Sequence, residues 1–240
     1  MRACLLFNDM LAMKRIVVLS GAGISADSGL QTFRDADGLW AGYRIEDVCT
    51  PEAFAKDPQQ VIDFYNMRRR QAMAAQPNAA HHSLQQLESR YDVEIITQNV
   101  DLLHERAGSR KILHLHGRLD QLRSSVDEEY IEPIEGDQSI RQLDMRLNLM
   151  RPNIVWFGEP VPEFMRATRL MDLAEIVIVV GTSLKVYPAA SLLEYARPRT
   201  EIYLVDPNPP EAPPGLLTDV IAKRASEGVP ELVEMLLARG

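Results

Sequence analysis

Apolar residues along this chain follow two rhythms. Short runs rich in Val and Ile recur at Arg15 to Ser20, Val93 to Thr97, Ile112 to Leu115, Ile154 to Trp156, Ile176 to Val180 and Ile202 to Val205, which predicts strands. Between most of them the apolar positions return at helical spacing. That predicts helices over about Pro58 to Ala75, Ala79 to Ser89, Pro162 to Asp172, Pro188 to Ala196 and Val229 to Ala238, the last capped by Ser226. Strand and helix in alternation predict an α/β protein with a doubly wound parallel sheet. The stretch from Arg118 to Met150 breaks the rhythm. It is charged, shows no long buried strand and carries a turn-like Glu-Gly-Asp at 135 to 137, so it reads as a small inserted module.

Length and composition narrow this picture. At 240 residues, one α/β domain with at most a small insertion is the simplest plan. Hydrophobic residues at 46% and charged residues at 25% are ordinary for a globular chain and exclude disordered and fibrous classes. The longest apolar run, Ile176 to Val180, is far short of the roughly 20 residues a membrane helix needs. The segment Met1 to Met13 lacks the apolar core of a secretory signal, which points to the cytosol, and Met10 or Met13 is a candidate true start. Cys4 and Cys49 match no zinc or redox spacing. A net charge of -8 argues against a broad nucleic-acid footprint.

Four clusters carry candidate chemistry. The first strand runs into Gly21-Ala22-Gly23-Ile24-Ser25-Ala26, a G-x-G-x-x-[GA] turn of the kind whose backbone N–H groups approach a pyrophosphate; the same motif also suits a tight glycine turn without ligand. No strand ending in an acidic residue follows about 20 residues on, so an ordinary NAD dehydrogenase fits poorly. Thr97-Gln98-Asn99-Val100-Asp101 closes another strand with side chains suited to ribose hydroxyls and a carboxamide, or to capping the next helix. His114 and His116 are two apart and point to one face while the extended geometry lasts. His116, nearer the strand end, is the candidate general base, with a structural histidine as the alternative. Gly181-Thr182-Ser183 ends a third strand, as a nucleotide contact or as a plain turn.

Together with Ser28-Gly29-Leu30, Thr32-Phe33-Arg34, Gly38-Leu39-Trp40, Leu115-His116-Gly117 and Val155-Trp156-Phe157-Gly158-Glu159, these clusters resemble the ordered motif set of the sirtuins over roughly residues 15 to 238. The resemblance implies an NAD-dependent protein-lysine deacylase. Its fold would be a large Rossmann-like domain from about 14 to 40, 79 to 116 and 152 to 240, with a smaller domain from insertions at about 41 to 78 and 117 to 151. NAD and an acyl-lysine protein or peptide would share the cleft between them, with the chain a monomer and neither nucleic acid nor membrane as partner. By position, Gly21, Ala22, Gly23 and Ala26 would hold the diphosphate, and Phe33, Arg34 and Trp40 would lie on the cofactor loop. Gln98 would contact ribose, while Asn99, Val100 and Asp101 would line the nicotinamide pocket. Gly181, Thr182 and Ser183, with Asp206, Pro207, Asn208 and Ala225, would surround the adenosine. Val155, Trp156, Phe157, Gly158 and Glu159 would receive the peptide as an added strand, flanked by Tyr187. In the implied reaction nicotinamide leaves, the acyl oxygen attacks the anomeric carbon, and His116 accepts a proton relayed from a ribose hydroxyl. The products would be nicotinamide, free lysine and O-acyl-ADP-ribose.

The chain departs from the pattern in three places. Most sirtuins carry two Cys-x-x-Cys zinc pairs in the small domain, yet residues 117 to 155 contain no cysteine, and His81 and His82 lie outside that segment. The expectation is a metal-free module held by Leu119, Leu122, Ile131, Ile134, Leu143 and Leu147. Leu102 and Asp206 also stand where other residues are usual. Finally, Tyr65 and Arg68 share a helix face three residues apart, which alone reads as part of a solvated run with Arg69 and Arg70. The resemblance instead makes this Tyr-x-x-Arg the mark of the branch that removes succinyl and malonyl groups. Two rival readings are ADP-ribosyl transfer or NAD hydrolysis, and a non-catalytic NAD-binding protein.

Overall fold

The structure, a computed structural model, describes residues 13–31, 39–40, 42–210 and 216–239. In chain order the strands are β1 (Arg15–Ser20), β2 (Leu39–Trp40), β3 (Tyr43–Arg44), β4 (Asp92–Thr97), β5 (Ile112–His114), β6 (Gly117–Ser124), β7 (Ile131–Pro133), β8 (Met150–Ile154), β9 (Ile176–Val180), β10 (Glu201–Val205) and β11 (Asp219–Ile221). Six of them form one parallel sheet in the order β11-β10-β9-β1-β4-β5. This is the doubly wound α/β sheet that the alternation of elements predicts.

Successive residues of a strand face opposite ways, and β1 shows why its run is apolar throughout. Ile16 and Val18 pack under the helices Ala79–Leu87 and Ala225–Arg239, while Val17 and Leu19 pack under the helix Phe164–Asp172 and the 3-10 turn Ala189–Tyr195. All four are fully buried, and each such side chain contributes about 1.5–3 kcal/mol relative to exposure. The parallel register aligns Ser20 with Thr97 and Val180, and Val180 with Val205. Consequently the residues that follow, Gly21, Gln98, Gly181 and Asp206, emerge together at the carboxyl edge, where open α/β sheets bind ligands.

A second, antiparallel sheet has the order β7-β6-β8. Its Leu119 and Ile154 share a core with Val61, Ile62, Phe64 and Tyr65 of the helix Pro58–Ala74. Arg69 ties helix to sheet, its Nε donating to the Leu119 carbonyl at 2.6 Å and its Nη1 to Asn66 Oδ1 at 2.7 Å. Leu122, Ile134 and Met150 make a smaller core.

Several local expectations are corrected. The Arg118 to Met150 stretch does hold a long strand, β6, half of whose residues are buried. Ile131, Leu143 and Leu147 are exposed and belong to neither core of the small module. The strand expected at Ile154 to Trp156 lies earlier, at Met150–Ile154. It is disguised by Pro152, tolerated on an edge strand, and by Arg151, which is buried through an ion pair. In place of the helix expected at Pro188 to Ala196 there is the 3-10 turn Ala189–Tyr195. The last helix begins at Ala225, so Ser226 does not cap it from outside; its Oγ donates to Asp27 instead.

Candidate active site

The Gly21 to Ala26 loop leaves β1 as a 3-10 turn, Ala22–Ser28, which the Gly21 N–H and Gly23 N–H fasten to Val180 and Gly181 carbonyls. Gly181 has φ +62°, and a Cβ there would lie 2.3 Å from the Ile24 nitrogen; a Cβ on Gly23 would lie 2.6 Å from the Gly181 Cα. The two loops touch through bare backbone, so glycine is required for their contact as well as for any ligand. Gln98 Nε2 donates to Thr182 Oγ1 at 3.1 Å, joining the second loop to the third.

Beside this cradle three polar side chains form a closed set. Asn99 Nδ2 donates to Ser25 Oγ at 3.2 Å, and Ser25 Oγ donates to Asp101 Oδ2 at 3.1 Å. Asp101 Oδ1 accepts from the Leu103 N–H, but the N-cap of the helix Leu103–Arg106 is Leu102 and no side chain caps it, so neither Asp101 nor Asn99 is its cap and both line the cleft. Burial raises the Asp101 carboxyl above its ordinary range, against the opposing pull of the Leu103 N–H and the Ser25 hydroxyl. Ser25 is a site residue that the sequence reading quoted within its motif but did not assign.

β5 stops at His114, and His116 lies just beyond it, with its Nδ1 3.1 Å from the Gln98 carbonyl. A carbonyl only accepts, so Nδ1 carries the proton and Nε2 keeps its lone pair. Burial lowers the imidazole below its ordinary value, with the Gln98 hydrogen bond opposing it, which keeps the ring neutral at pH 7. His114 instead bonds Glu105 and the Asn99 carbonyl, and it does not line the cleft.

At the other end, the solvated-run reading fails for Arg68 and Arg69, which are 7% and 2% exposed, and holds for Arg70. Tyr65 is fully buried as a residue yet reaches the cleft wall with Arg68 and Cys49. The Tyr65 hydroxyl lies 3.4 Å from Cys49 Sγ, and burial pushes the Cys49 thiol up to about 12. No sequence signal marked Cys49 as a wall residue.

The Val155 to Glu159 segment crosses the cleft mouth. The N–H groups of Val155, Trp156, Phe157 and Glu159 are taken by His116, Glu159, Cys49 and Trp156, and the Trp156 carbonyl is taken in turn by the Glu159 N–H. The Glu159 carboxylate is an anchor. It bonds Arg151 at 2.6 Å and Arg123 at 3.0 Å, and removing it would strand two buried guanidinium groups at a cost of about 3–5 kcal/mol.

One cleft of about 570 Å³ gathers the cradle, the polar set, His116, Tyr65 and Arg68. Of the expected cofactor and substrate residues whose side chains are described, every one except Trp156 lines it. Trp156 is buried behind the wall, under the Arg151 guanidinium. Phe33 and Arg34 lie outside the described residues, as does the Trp40 side chain. Among the described residues, no cluster of His, Cys, Asp and Glu is placed to hold a metal ion, and no helix is long and apolar enough to cross a membrane.

Sheet, cradle and polar loop define an α/β nucleotide-binding protein with its cleft against a small antiparallel module. The chain belongs to the Sir2 family, whose model matches residues 21–188. A relative from Aggregatibacter actinomycetemcomitans, an NAD-dependent protein deacylase, is 58% identical over 193 residues, covering 80% of this chain and 93% of its own. A serine-to-alanine mutant of a Sir2 homologue in complex with ADP-ribose superposes with a TM-score of 0.86 at 40% identity, covering 98% of this chain and 96% of that one. A Sir2 complex with a p53 peptide and NAD+ superposes at 0.78 with 28% identity, covering 99% of this chain and all of its own.

Proposed function

We propose that this chain removes acidic acyl groups, succinyl and malonyl, from protein lysine in preference to acetyl. The coarser activity follows from the family: it is an NAD-dependent protein deacylase, with NAD as co-substrate and acyl-lysine peptides as partners. The observation that carries the finer reading is Arg68, a guanidinium 7% exposed in the cleft wall beside Tyr65. Arg68 Nη1 donates to Gln71 Oε1 at 3.1 Å and its charge faces Asp101, and the planar fork of Arg suits a ligand that brings a carboxylate.

The residues fit NAD by steric argument as well. Gly21 and Gly23 bring bare backbone to the cleft with only the Ala22 methyl between them, and Ser25, Asn99 and Asp101 offer the donors and acceptors a carboxamide needs. NAD, when bound, supplies the nicotinamide–ribose bond that is broken. His116 Nε2, with Nδ1–H held on Gln98, is the base that accepts a hydroxyl proton. Gly158 and the neighbouring carbonyls receive the peptide backbone, and Phe157 and Tyr187, both exposed, flank it. We read the chain as a cytosolic monomer whose small module needs no zinc.

Comparing acetyl-, malonyl- and succinyl-lysine peptides as substrates tests the reading. A higher kcat/KM for the acidic acyl groups, with O-acyl-ADP-ribose formed in step, is expected. Preference for acetyl-lysine overturns it.

A further inference from the structure

His114 is a buried titratable group beside the cleft to which the chemistry above gives no task. Its side chain is 8% exposed. Its Nε2 lies 2.7 Å from Glu105 Oε1, and its Nδ1 lies 3.0 Å from the Asn99 carbonyl. A carbonyl accepts and never donates, and so does an ionised carboxylate. A neutral imidazole has one proton and can satisfy only one of them; a ring that donates to both is an imidazolium.

Glu105 is suited to accept from the ring as a carboxylate. Burial pushes its carboxyl up, but the His114 hydrogen bond and charge, with Arg118 further off, bring it below the ordinary glutamate value. The Asn99 backbone then sits in a clamp. Its N–H donates to Thr97 Oγ1 at 3.0 Å, and its carbonyl accepts from His114, while its side chain reaches Ser25 and the cleft. Among the described residues no other hydrogen bond holds that carbonyl, so without His114 the Asn99–Val100 peptide loses its tether while the Gln98–Asn99 peptide keeps its own. The titratable groups around the pair are Asp101 and His104 on the same segment, the latter kept neutral by burial, Arg118 at the start of β6, and Arg68, which faces Asp101 from the helix Pro58–Ala74.

We propose that His114, bonded to Glu105 at one ring nitrogen and to the Asn99 carbonyl at the other, is a positioning residue that clamps the Asn99 backbone and so aims Asn99 and Asp101 into the nicotinamide end of the cleft. The inference rests on that end of the cleft being the nicotinamide site.

Three variants and one spectrum test it. Asparagine places its amide nitrogen near the position of Nδ1, so His114→Asn keeps the donor to Asn99 and loses only the contact with Glu105. His114→Leu loses both. Expected for His114→Leu is an NAD Kd raised about ten-fold, the size of one buried hydrogen bond, with the acyl-peptide KM within about two-fold of wild type. His114→Asn should recover most of that loss. Ring-nitrogen NMR near neutral pH should find both His114 nitrogens protonated in the wild type, and only Nδ1 protonated in Glu105→Gln. A singly protonated ring in the wild type overturns the proposal, and so does a folded His114→Leu protein with unchanged NAD Kd. Equal losses in the Leu and Asn variants overturn it too, since a purely structural role predicts them. If His114→Leu does not fold, the spectra of wild type and Glu105→Gln decide. Neither NAD affinity nor the spectra require turnover, so a chain that binds NAD and deacylates nothing would fail the proposed function and leave this test intact.

Discussion

The indole Nε1 of Trp156 donates to the Tyr65 hydroxyl at 3.0 Å, across 91 residues of sequence. The hydroxyl therefore accepts from behind the wall and keeps its own proton for the cleft side, where Cys49 and the Arg68 guanidinium lie. Arg68→Met should raise KM or lower kcat for succinyl-lysine by about 2–4 kcal/mol, the cost of a carboxylate buried without its partner, and should spare acetyl-lysine. Steady-state kinetics on matched peptides measures this. Equal losses on both substrates would return Arg68 to a purely structural role.

His116→Ala should lower turnover by at least about 10²-fold, the range of a general base, with NAD affinity largely kept. Because burial holds the folded imidazole below its ordinary 6.5, it stays a base as pH falls past that value. The acid limb of kcat/KM should accordingly lie below pH 6.5 and vanish in the variant. Near-wild-type turnover by folded His116→Ala would remove the assignment.

Acid should weaken the fold through His81. This residue is fully buried against His104, their rings 5.0 Å apart, and burial first, then His82, lowers it from 6.5 to about 4. The unfolded chain then binds the proton more readily than the folded one, so stability is complete above pH 6.5 and is lost as pH falls toward 4. The loss attributable to His81 is about 3 kcal/mol. Denaturant melts across that window should show the slope, and His81→Asn should flatten it; an unchanged slope would rule His81 out as its source.

Chelation should alter neither the melting temperature nor the rate, because residues 117 to 155 offer no thiolate. The small sheet has its own core in Leu122, Ile134 and Met150 and its own ionic tie in Arg123, Glu159 and Arg151. One equivalent of tightly held zinc whose removal unfolds the protein would contradict this.

The parallel sheet was legible because β1 and β9 bury both faces, which leaves uninterrupted Val and Ile in the sequence. The three loops at its carboxyl edge were legible for a related reason, since glycines and amides follow those runs directly. What stayed hidden depends on partners far away in sequence. Arg69 looks like a surface charge until Leu119, 50 residues on, supplies its acceptor. Arg151 hides β8 because nothing local announces that Glu159 will neutralise it. His114 looked like a weaker twin of His116. Its role emerges only where the helix Leu103–Arg106 brings Glu105 to its outer nitrogen.

The Val155 N–H donates to the carbonyl of His116 at 2.9 Å, and the next residues, Gly117 and Ile154, are paired in register. The proposed base and the proposed peptide-receiving segment are thus adjacent rungs of one ladder. His116 is tied to the cradle side as well, because β5 pairs with β4 in the sheet that carries β1, and its ring rests on the Gln98 carbonyl. The residue is a rivet through both plates of the cleft, so a shift of either sheet is felt at its ring.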